Sequence, residues 1–279
     1  MRKFKISSKI ARKMRDFTTE APETPAAPAA EEQAAAPEKL WVSSRTDVGL
    51  VRRENQDAVI LGGGLMGIAD GMGGHKGGET ASAGARDGLI RALEGREPSK
   101  EALEEAVKQV NRELWEKQES DENLSGMGTT LSVLWPAGEK MLIAHVGDSR
   151  VYLMREGLLR QVTKDHSMVA DMVRKGLLTE EQAAVHPMRN YITRAVGTEP
   201  TIQVDILGME RQAGDRWLVC SDGLHGLIAK ERLQELMGWE DLEEAADQMV
   251  REALDRGGRD NISLVLVSEE APESREVAP

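Results

Sequence analysis

Short runs rich in valine, isoleucine and leucine recur through most of the chain, and glycine, proline or charged residues bound most of them. Runs of this length and composition are typical of β-strands. They predict strands at residues 57–62, 65–69, 129–135, 140–147, 150–154, 158–162, 202–207, 217–221 and 262–267. Several breaks between neighbouring runs are very short, such as Pro136-Ala137-Gly138 and Glu156-Gly157. Because parallel neighbours need a crossover of about a dozen residues or more, these breaks predict antiparallel pairs.

Apolar residues recur at helical spacing in four other blocks, at residues 79–93, 100–117, 168–175 and 242–256. Strands and helices follow one another in groups and do not alternate one by one, a pattern typical of the α+β class. We therefore expect an α+β fold in which helices cover antiparallel sheet.

The two ends of the chain lack this patterning. Residues 1–17 carry seven basic side chains and one acidic one, and their apolar residues lie at helical spacing, which predicts a short basic amphipathic helix. Residues 18–39 hold four of the ten prolines and eight alanines without periodicity, which indicates a linker. The predicted organisation is a disordered arm and linker over 1–39, a folded domain over 40–268 and a disordered tail over 269–279.

Net charge distinguishes the basic arm from the rest of the chain. The whole sequence carries −12, and because residues 1–17 contribute +6, the remainder carries −18. A general nucleic-acid-binding protein usually shows the opposite bias, so we expect no nucleic-acid partner. The arm leaves three interpretations open: a solvated mobile arm, which is the default, a weak anchor at an anionic membrane surface, and a helix that docks a partner.

The single cysteine, Cys220, excludes a disulfide framework and a thiolate metal cluster within this sequence, and it fits a reducing compartment. With no apolar run near the roughly 18 residues of a spanning helix, we expect a cytoplasmic protein. Cys220 follows Leu218 and Val219 and is predicted to be a buried strand thiol. The sequence contains no Gly-x-Ser-x-Gly elbow, no His-Glu-x-x-His pair and no Walker loop.

Five aspartates stand where predicted strands end and a glycine lies nearby. They are Asp57, Asp70, Asp148, Asp222 and Asp260. One Asp-Gly pair is usually only a turn. Several carboxylates that converge would repel one another and would be costly to desolvate, and a hard divalent cation such as Mg²⁺ or Mn²⁺ removes that cost. Periodicity alone does not show that the five converge.

Eight motifs supply a stronger signal, because they follow one another in order between residues 45 and 267. They are Gly49-Leu50-Val51-Arg52-x-x-Asn55-Gln56-Asp57, Ala69-Asp70-Gly71-Met72-Gly73-Gly74-His75, Gly128-Thr129-Thr130, His145-Val146-Gly147-Asp148-Ser149-Arg150, Thr163-x-Asp165-His166-Ser167, Ile192-Thr193-Arg194-Ala195-Val196-Gly197, Cys220-Ser221-Asp222-Gly223-Leu224 and Gly258-Arg259-Asp260-Asn261-Ile262-Ser263. In this order they resemble the metal-dependent protein phosphatases of type 2C, in particular the bacterial Ser/Thr phosphatase branch.

The resemblance implies a fold of two stacked antiparallel β-sheets flanked by helix pairs, a four-layer α-β-β-α sandwich with its metals at one end. It places a small mobile flap at residues 166–190. It also implies two Mn²⁺ or Mg²⁺ ions, with a weaker third ion in bacterial members.

The resemblance further implies roles for individual residues. Asp70 would bridge both ions, Gly71 would contribute its backbone carbonyl, and Asp222 and Asp260 would complete the ligands of the first ion. Asp57 would hold metal-bound waters, and Asp148 matches the carboxylate that helps to bind the third ion.

Arg52 matches the arginine that grips the substrate phosphate, for which a fork of N–H donors is well suited. A histidine follows the Asp-Gly pair directly in animal members and is proposed as the general acid. Here Met72 stands at that place and His75 lies three residues later, so His75 is a candidate acid, with a structural role equally open. The other four histidines, at 145, 166, 186 and 225, are expected to be structural.

The implied function is hydrolysis of phosphoserine and phosphothreonine on proteins by a metal-activated water, without a covalent phosphoenzyme. Partners would be phosphoproteins made by a cognate Ser/Thr kinase, with the kinase itself as a candidate, and the protein is expected to be a monomer. One alternative is a phosphatase of an anti-sigma antagonist in stress or sporulation signalling. Another is a non-catalytic module that binds phosphoproteins, which loss of a metal aspartate would favour.

Overall fold

The structure, a computed structural model, describes residues 39–73 and 77–269, and this part of the chain contains eleven strands. The strands are β1 (Trp41–Asp47), β2 (Asp57–Gly62), β3 (Leu65–Met72), β4 (Gly128–Thr129), β5 (Leu131–Ala137), β6 (Lys140–Val146), β7 (Arg150–Arg155), β8 (Leu158–Gln161), β9 (Asp205–Glu210), β10 (Arg216–Cys220) and β11 (Ile262–Ser268).

The strands build two sheets, and every pairing between them is antiparallel. One sheet has the order β1-β11-β10-β7-β8, and the other has the order β2-β3-β5-β6-β9, with the short β4 added to β3. The predicted hairpins are confirmed at the short breaks, where β2 pairs with β3, β5 with β6 and β7 with β8.

Helices cover both outer faces of the two sheets. The helices of the described part are α1 (Gly77–Leu93), α2 (Lys100–Ser120), α3 (Met168–Arg174), α4 (Glu180–Ala184), α5 (Asp222–His225), α6 (Lys230–Met237) and α7 (Leu242–Asp255), and a 3₁₀ turn lies at Glu122–Leu124. Of these, α3 and α4 lie in the segment between β8 and β9 and do not belong to the covering layers. Side-chain caps fix several starts. Ser99 accepts from the Ala102 N–H at the start of α2, and Asp241 accepts from two N–H groups at the start of α7.

Three buried apolar clusters hold the layers together. Leu89 of α1 and Leu103 of α2 pack on the second sheet. Ile68, Ile143 and Trp217 belong to the cluster between the two sheets. A third cluster lies under α6 and α7 on the first sheet and contains Leu218, Leu236 and Met249. The expected α+β, four-layer sandwich is confirmed.

The structure adds elements that the apolar pattern did not predict. Strand β1 pairs with β11 along its whole length, but its sequence, WVSSRTD, contains few apolar residues because only part of the strand is buried. The short helices α4, α5 and α6 were also not predicted. Strand β9 begins at Asp205, three residues later than expected.

At its C-terminal end the folded region extends one residue beyond the predicted boundary at residue 268. Glu269, which the sequence-based boundary assigns to the tail, is buried and forms an ion pair with Arg211 at 2.7 Å. The predicted arm and linker before residue 39, and the tail from residue 270, lie outside the described residues. Among the helices of the described part, none is long and apolar enough to cross a membrane.

Candidate functional site

The sheet topology brings the five aspartates to one end of the sandwich. Asp57 opens β2 and lies opposite Asp70 in the pairing of β2 with β3. Asp222 follows β10 and Asp260 precedes β11, and these two strands are antiparallel neighbours. Asp148 precedes β7, whose first residue lies opposite the last residue of β10. We call these five residues the aspartate cluster.

Hydrogen bonds from Thr129, the last residue of β4, and from Thr130, which follows it, hold Asp70 by its backbone. The Asp70 N–H donates to Thr130 Oγ1 at 3.0 Å, and the Asp70 carbonyl accepts from the Thr130 N–H at 2.8 Å. Thr129 Oγ1 donates to the same carbonyl at 2.9 Å. The Gly-Thr-Thr motif therefore fixes the Asp70 backbone and leaves its carboxylate to the cluster.

Gly71 lies where two chain segments come close to its backbone. A Cβ at this position would be 2.1 Å from the Gly78 carbonyl oxygen and 2.6 Å from that of Gln56. The Gly71 N–H donates to the Gln56 carbonyl at 3.0 Å. Only glycine fits here, so any other residue would displace the Asp70-Gly71 segment.

Two carboxylate oxygens of the cluster are buried without a hydrogen-bond partner. Ser221 Oγ donates to Asp57 Oδ2 at 2.9 Å, but Asp57 Oδ1 accepts nothing within the described residues. Asp148 Oδ1 is in the same state, and the only other such side-chain atom in residues 39–73 and 77–269 is Trp217 Nε1. A buried anionic oxygen without a partner is costly, so both oxygens fit a positively charged ligand.

The electrostatics show that the five carboxylates share one region. Burial raises the pKa of Asp70 well above its usual range, and the charges of the other four members raise it further. Burial, followed by the charges of Asp148, Asp260 and Asp57, raises the pKa of Asp222 to about 8. Burial first and the Asp165 carboxylate second raise the pKa of Asp148 to about 6. Without a cation, the cluster therefore holds more negative charge than its surroundings accommodate.

The donor set suits Mg²⁺ or Mn²⁺, because it consists of carboxylates and a backbone carbonyl. No three His, Cys, Asp or Glu side chains in the described ranges are already arranged as a ligand set. Two cluster members are engaged elsewhere: Asp260 Oδ2 pairs with Arg52 Nη2 at 2.7 Å, and Ser221 holds Asp57 Oδ2. Cation binding would therefore require these side chains to rearrange, while the charge and the unpartnered oxygens favour it.

Arg52 lies at the solvent-exposed edge of the aspartate cluster. Its side chain is half exposed, and its hydrogen bond to Asp260, followed by the charges of Asp260, Asp222 and Asp70, raises its pKa. Its position combines contact with the cluster and access to solvent. This is where an arginine could bind an oxyanion that approaches the cluster.

Asn261 organises the loop that carries Arg52, a role that the sequence did not reveal. Its Nδ2 donates to the carbonyls of Val48 and Glu54, each at 3.0 Å, and its Oδ1 accepts from the Gln56 N–H at 2.9 Å. One side chain thereby joins both ends of the loop over residues 48–56. Its place directly after Asp260 in the last motif was the only signal available.

Two histidines hold the segment that carries Asp148. His166 Nδ1 accepts from the Gly147 N–H at 3.0 Å, and His225 Nε2 donates to the Asp148 carbonyl at 3.0 Å. Burial lowers the pKa of His225 to about 3, so its ring is neutral at physiological pH. Both contacts are structural, as expected. The candidate acid His75 lies outside the described residues.

The segment predicted as a flap leaves the domain and returns to it at one point. The Met168 N–H donates to the Tyr191 carbonyl at 2.9 Å, and the Thr193 N–H donates to the His166 carbonyl at 2.8 Å. Between them lie α3 and α4, with Leu177 and Val185 exposed. Its assignment as a mobile flap stays a prediction.

Comparison with known proteins decides the family. The family model described as "Protein phosphatase 2C" matches residues 46–266. The chain belongs to the protein phosphatase 2C family. The family resemblance read from the eight motifs is confirmed.

Individual members of the 2C family specify the branch. The chain is 40% identical to the serine/threonine protein phosphatase PstP of Mycobacterium tuberculosis over 81% of its own length, but it covers 44% of that relative. It is 37% identical to the serine/threonine phosphatase stp of Listeria monocytogenes, over 80% of this chain and 93% of the relative. These two 2C relatives are bacterial Ser/Thr phosphatases, and the predicted bacterial Ser/Thr branch is confirmed.

The fold agrees with a solved 2C structure. The crystal structure of the catalytic domain of PstP in complex with two manganese ions superposes with a TM-score of 0.76 at 37% identity. The match covers 82% of this chain and 97% of that one. This 2C relative shows that a domain of the same fold binds two manganese ions.

Proposed function

We propose that this protein hydrolyses phosphoserine and phosphothreonine on proteins, with divalent cations held by the aspartate cluster. The observation that carries the proposal is the convergence of five carboxylates with two buried, unpartnered oxygens, Asp57 Oδ1 and Asp148 Oδ1. A cluster this acidic is unfavourable by itself, and cation binding explains why it is present. Family membership and the manganese-bound PstP structure support the same conclusion.

The cations would be held by this chain's own oxygen donors. Asp70, Asp222, Asp260 and the Gly71 carbonyl are the proposed ligands of two ions, with Asp57 contributing directly or through water. Asp148, whose Oδ1 is buried without a partner, is the proposed ligand of a weaker third ion. When bound, such cations supply an acidified water nucleophile and polarise the phosphoryl group.

The protein side chains would position the substrate. Arg52 binds the phosphoryl oxygens through N–H groups that its ion pair with Asp260 leaves available. Its charge opposes the negative charge that grows on those oxygens during in-line attack. Thr129 and Thr130 keep Asp70 in place, and Ser221 holds one oxygen of Asp57. His75 is proposed as the group that protonates the leaving oxygen.

The thiol of Cys220 does not supply an alternative nucleophile for this reaction. Cys220 is fully buried, and burial raises the pKa of its thiol to about 12. A thiol in that state is protonated at neutral pH and has no access to substrate. A cysteinyl-phosphate intermediate is therefore disfavoured, and we propose direct hydrolysis by water. A non-catalytic binding module is disfavoured because all five carboxylates are present.

The proposal also covers the biological setting. The substrates are phosphoproteins produced by a Ser/Thr kinase, with the kinase itself included, and the protein acts as a cytoplasmic monomer. Mn²⁺ or Mg²⁺ serves as the cofactor. Target choice between general phosphoproteins and an anti-sigma antagonist is left to substrate profiling.

A chelator experiment tests the proposed activity. Release of an aryl alcohol from a chromogenic aryl phosphate should stop in excess chelator and return when Mn²⁺ is added in excess. The Cys220→Ala variant should behave like the wild type. Turnover that persists in chelator, or that is lost in Cys220→Ala protein of normal stability, would contradict the mechanism.

A further inference from the structure

Two large apolar side chains are exposed beside Arg52. Leu50 is 67% exposed and Val51 is 65% exposed, and they directly precede Arg52 in the chain. Single exposed apolar residues are normal on protein surfaces and need no explanation. Two adjacent exposed apolar residues at the entrance of a candidate active site do need an explanation, because they would contact a substrate that approaches the aspartate cluster.

The backbone that carries these side chains is fixed. The Leu50 N–H donates to the Gly258 carbonyl at 2.7 Å, and Asn261 joins both ends of the loop. Gly49 adopts a φ of +78°, and a Cβ there would be 2.3 Å from the Asp260 carbonyl oxygen. The loops at 49–53 and 257–259 therefore form one unit, which we call the rim. A preorganised surface loses little conformational entropy when it binds a partner.

The rim is also basic, in contrast to the acidic domain behind it. Arg53 and Arg259 are exposed, and neither forms an ion pair with any residue in the described ranges 39–73 and 77–269. Together with Arg52 they give the rim three guanidinium groups on the two loops that also carry Leu50 and Val51. This combination of apolar and cationic groups is complementary to a peptide that carries apolar and acidic side chains.

The spacing agrees with a peptide bound in extended form. Leu50 and Val51 lie in the turn that directly precedes Arg52, and an extended peptide advances about 3.3 Å per residue. A phosphorylated residue held at Arg52 would therefore bring its neighbours within about three positions to the rim. Small phosphate esters would not reach it.

We infer that the rim is the specificity surface for protein substrates, selecting apolar side chains near the phosphorylated residue through Leu50 and Val51 and acidic ones through Arg53 and Arg259. The inference rests on the proposed phosphatase activity and names the class of segment that this activity acts on. Arg52 and the aspartate cluster act on every phosphate ester, whereas the other four rim side chains, Leu50, Val51, Arg53 and Arg259, act only on peptides.

The test compares peptides with an aryl phosphate. One phosphothreonine peptide carries leucine two positions before and two positions after the phosphoresidue and glutamate three positions after it. A second peptide has serine in place of both leucines, and a third has lysine in place of glutamate. Wild-type protein is compared with the Leu50→Ser/Val51→Ser double variant and with the Arg53→Gln/Arg259→Gln double variant.

Matched controls come from β8, away from the site. Leu158 is 56% exposed and pairs with Arg155, at the end of β7 far from Asp148, so Leu158→Ser controls for the loss of an exposed leucine. Arg160→Gln on the same strand controls for the loss of an exposed charge. The rate of each variant on the aryl phosphate reports whether it is folded and active.

We expect the leucine peptide to have a lower KM than the serine peptide with wild-type protein. The apolar double variant should raise KM for the leucine peptide roughly 5- to 10-fold, because about half of each side chain would leave water on binding. The arginine double variant should weaken the preference for glutamate over lysine. Both variants should keep the wild-type rate on the aryl phosphate, and the controls should change nothing.

The inference is wrong if wild-type protein shows equal KM for the leucine and serine peptides. It is also wrong if the apolar double variant, active on the aryl phosphate, changes both peptides equally. Failure of the proposed function would look different: wild-type protein with Mn²⁺ would release phosphate from neither the aryl phosphate nor any peptide.

Discussion

Replacing Asp222 with asparagine should stabilise the metal-free protein and weaken its response to Mn²⁺. In the metal-free state the Asp222 carboxylate is destabilised by burial and by three neighbouring carboxylates, and its pKa is raised to about 8. An amide of the same shape carries no charge and removes this penalty. The charge of Asp222 should therefore destabilise the metal-free protein and stabilise the metal-bound protein.

The magnitude follows from the raised pKa. An ordinary aspartate has a pKa of 3.8, so at pH 7 a native pKa near 8 corresponds to about 4 kcal/mol of destabilisation, at 1.36 kcal/mol per unit. Asp222 is partly exposed and shares its field with four other carboxylates that can take up protons. We therefore expect Asp222→Asn to gain about 1–3 kcal/mol in chelator at pH 7.

The direction of the Asp222 pKa shift also predicts how the stability of the metal-free protein depends on pH. A carboxyl group with a raised native pKa binds more protons in the native state than in the unfolded state. Its stability contribution is present below pH 3.8 and is lost as pH rises through about 8. The wild-type protein in chelator should lose stability across this window, and the advantage of Asp222→Asn should grow with pH.

Urea denaturation in chelator at several pH values measures this difference, and thermal unfolding with and without Mn²⁺ measures the response to metal. The control is Asp87→Asn, which removes an exposed carboxylate paired with Arg86 and should change stability by less than about 0.5 kcal/mol. The reasoning is refuted if Asp222→Asn is no more stable than wild type in chelator at pH 7, or if Mn²⁺ raises the melting temperature of both proteins equally.

Three further predictions concern other parts of the molecule. Arg52→Ala should raise KM for small and peptide substrates more than it lowers kcat, because the substrate phosphate is already dianionic before reaction and Arg52 binds it in the ground state as well as in the transition state. Calorimetry should show that this variant binds Mn²⁺ about as tightly as the wild type. Loss of metal binding would contradict the role assigned to Arg52. Removal of residues 1–38 should leave the rate on an aryl phosphate unchanged, since every matched motif lies downstream; a large fall would show that the arm contributes to the site. Burial lowers the pKa of His145 to about 4, so between pH 6.5 and 4 this histidine is protonated in the unfolded state and neutral in the native state, and stability should fall as pH drops through this range. Urea denaturation at several pH values should show a weaker pH dependence of stability for His145→Gln than for the wild type. An identical pH dependence in the two proteins would contradict this role of His145.

The fold was largely predictable because its strands are buried and its hairpins are tight. The run at 140–147 is mostly apolar because β6 is an interior strand of its sheet and is buried from Met141 to Val146. Strand β1 was missed for the opposite reason: it is an edge strand with Ser43, Ser44 and Arg45 in its middle. Its identity as a strand depends on pairing with β11, far away in the chain, which local patterning does not report.

The candidate site was predictable in its residues but not in its contacts. Each aspartate could be noticed at the boundary of a predicted strand, and the family resemblance gave each of them a role. Their convergence depends on the register of β2 against β3 and of β10 against β11, which no local pattern encodes. The function of Asn261 escaped notice for the same reason, since its partners lie more than two hundred residues away.

The most direct test of the account follows Mn²⁺ binding and phosphate release in the same titration. Metal-free protein would receive Mn²⁺ in steps, with heat measured by calorimetry and phosphate release measured on a phosphothreonine peptide. The account predicts that activity rises as the cluster fills, and that Asp70→Asn protein, folded in chelator, loses both tight binding and activity. Full activity before Mn²⁺ binds, or wild-type binding and turnover by Asp70→Asn, would contradict it.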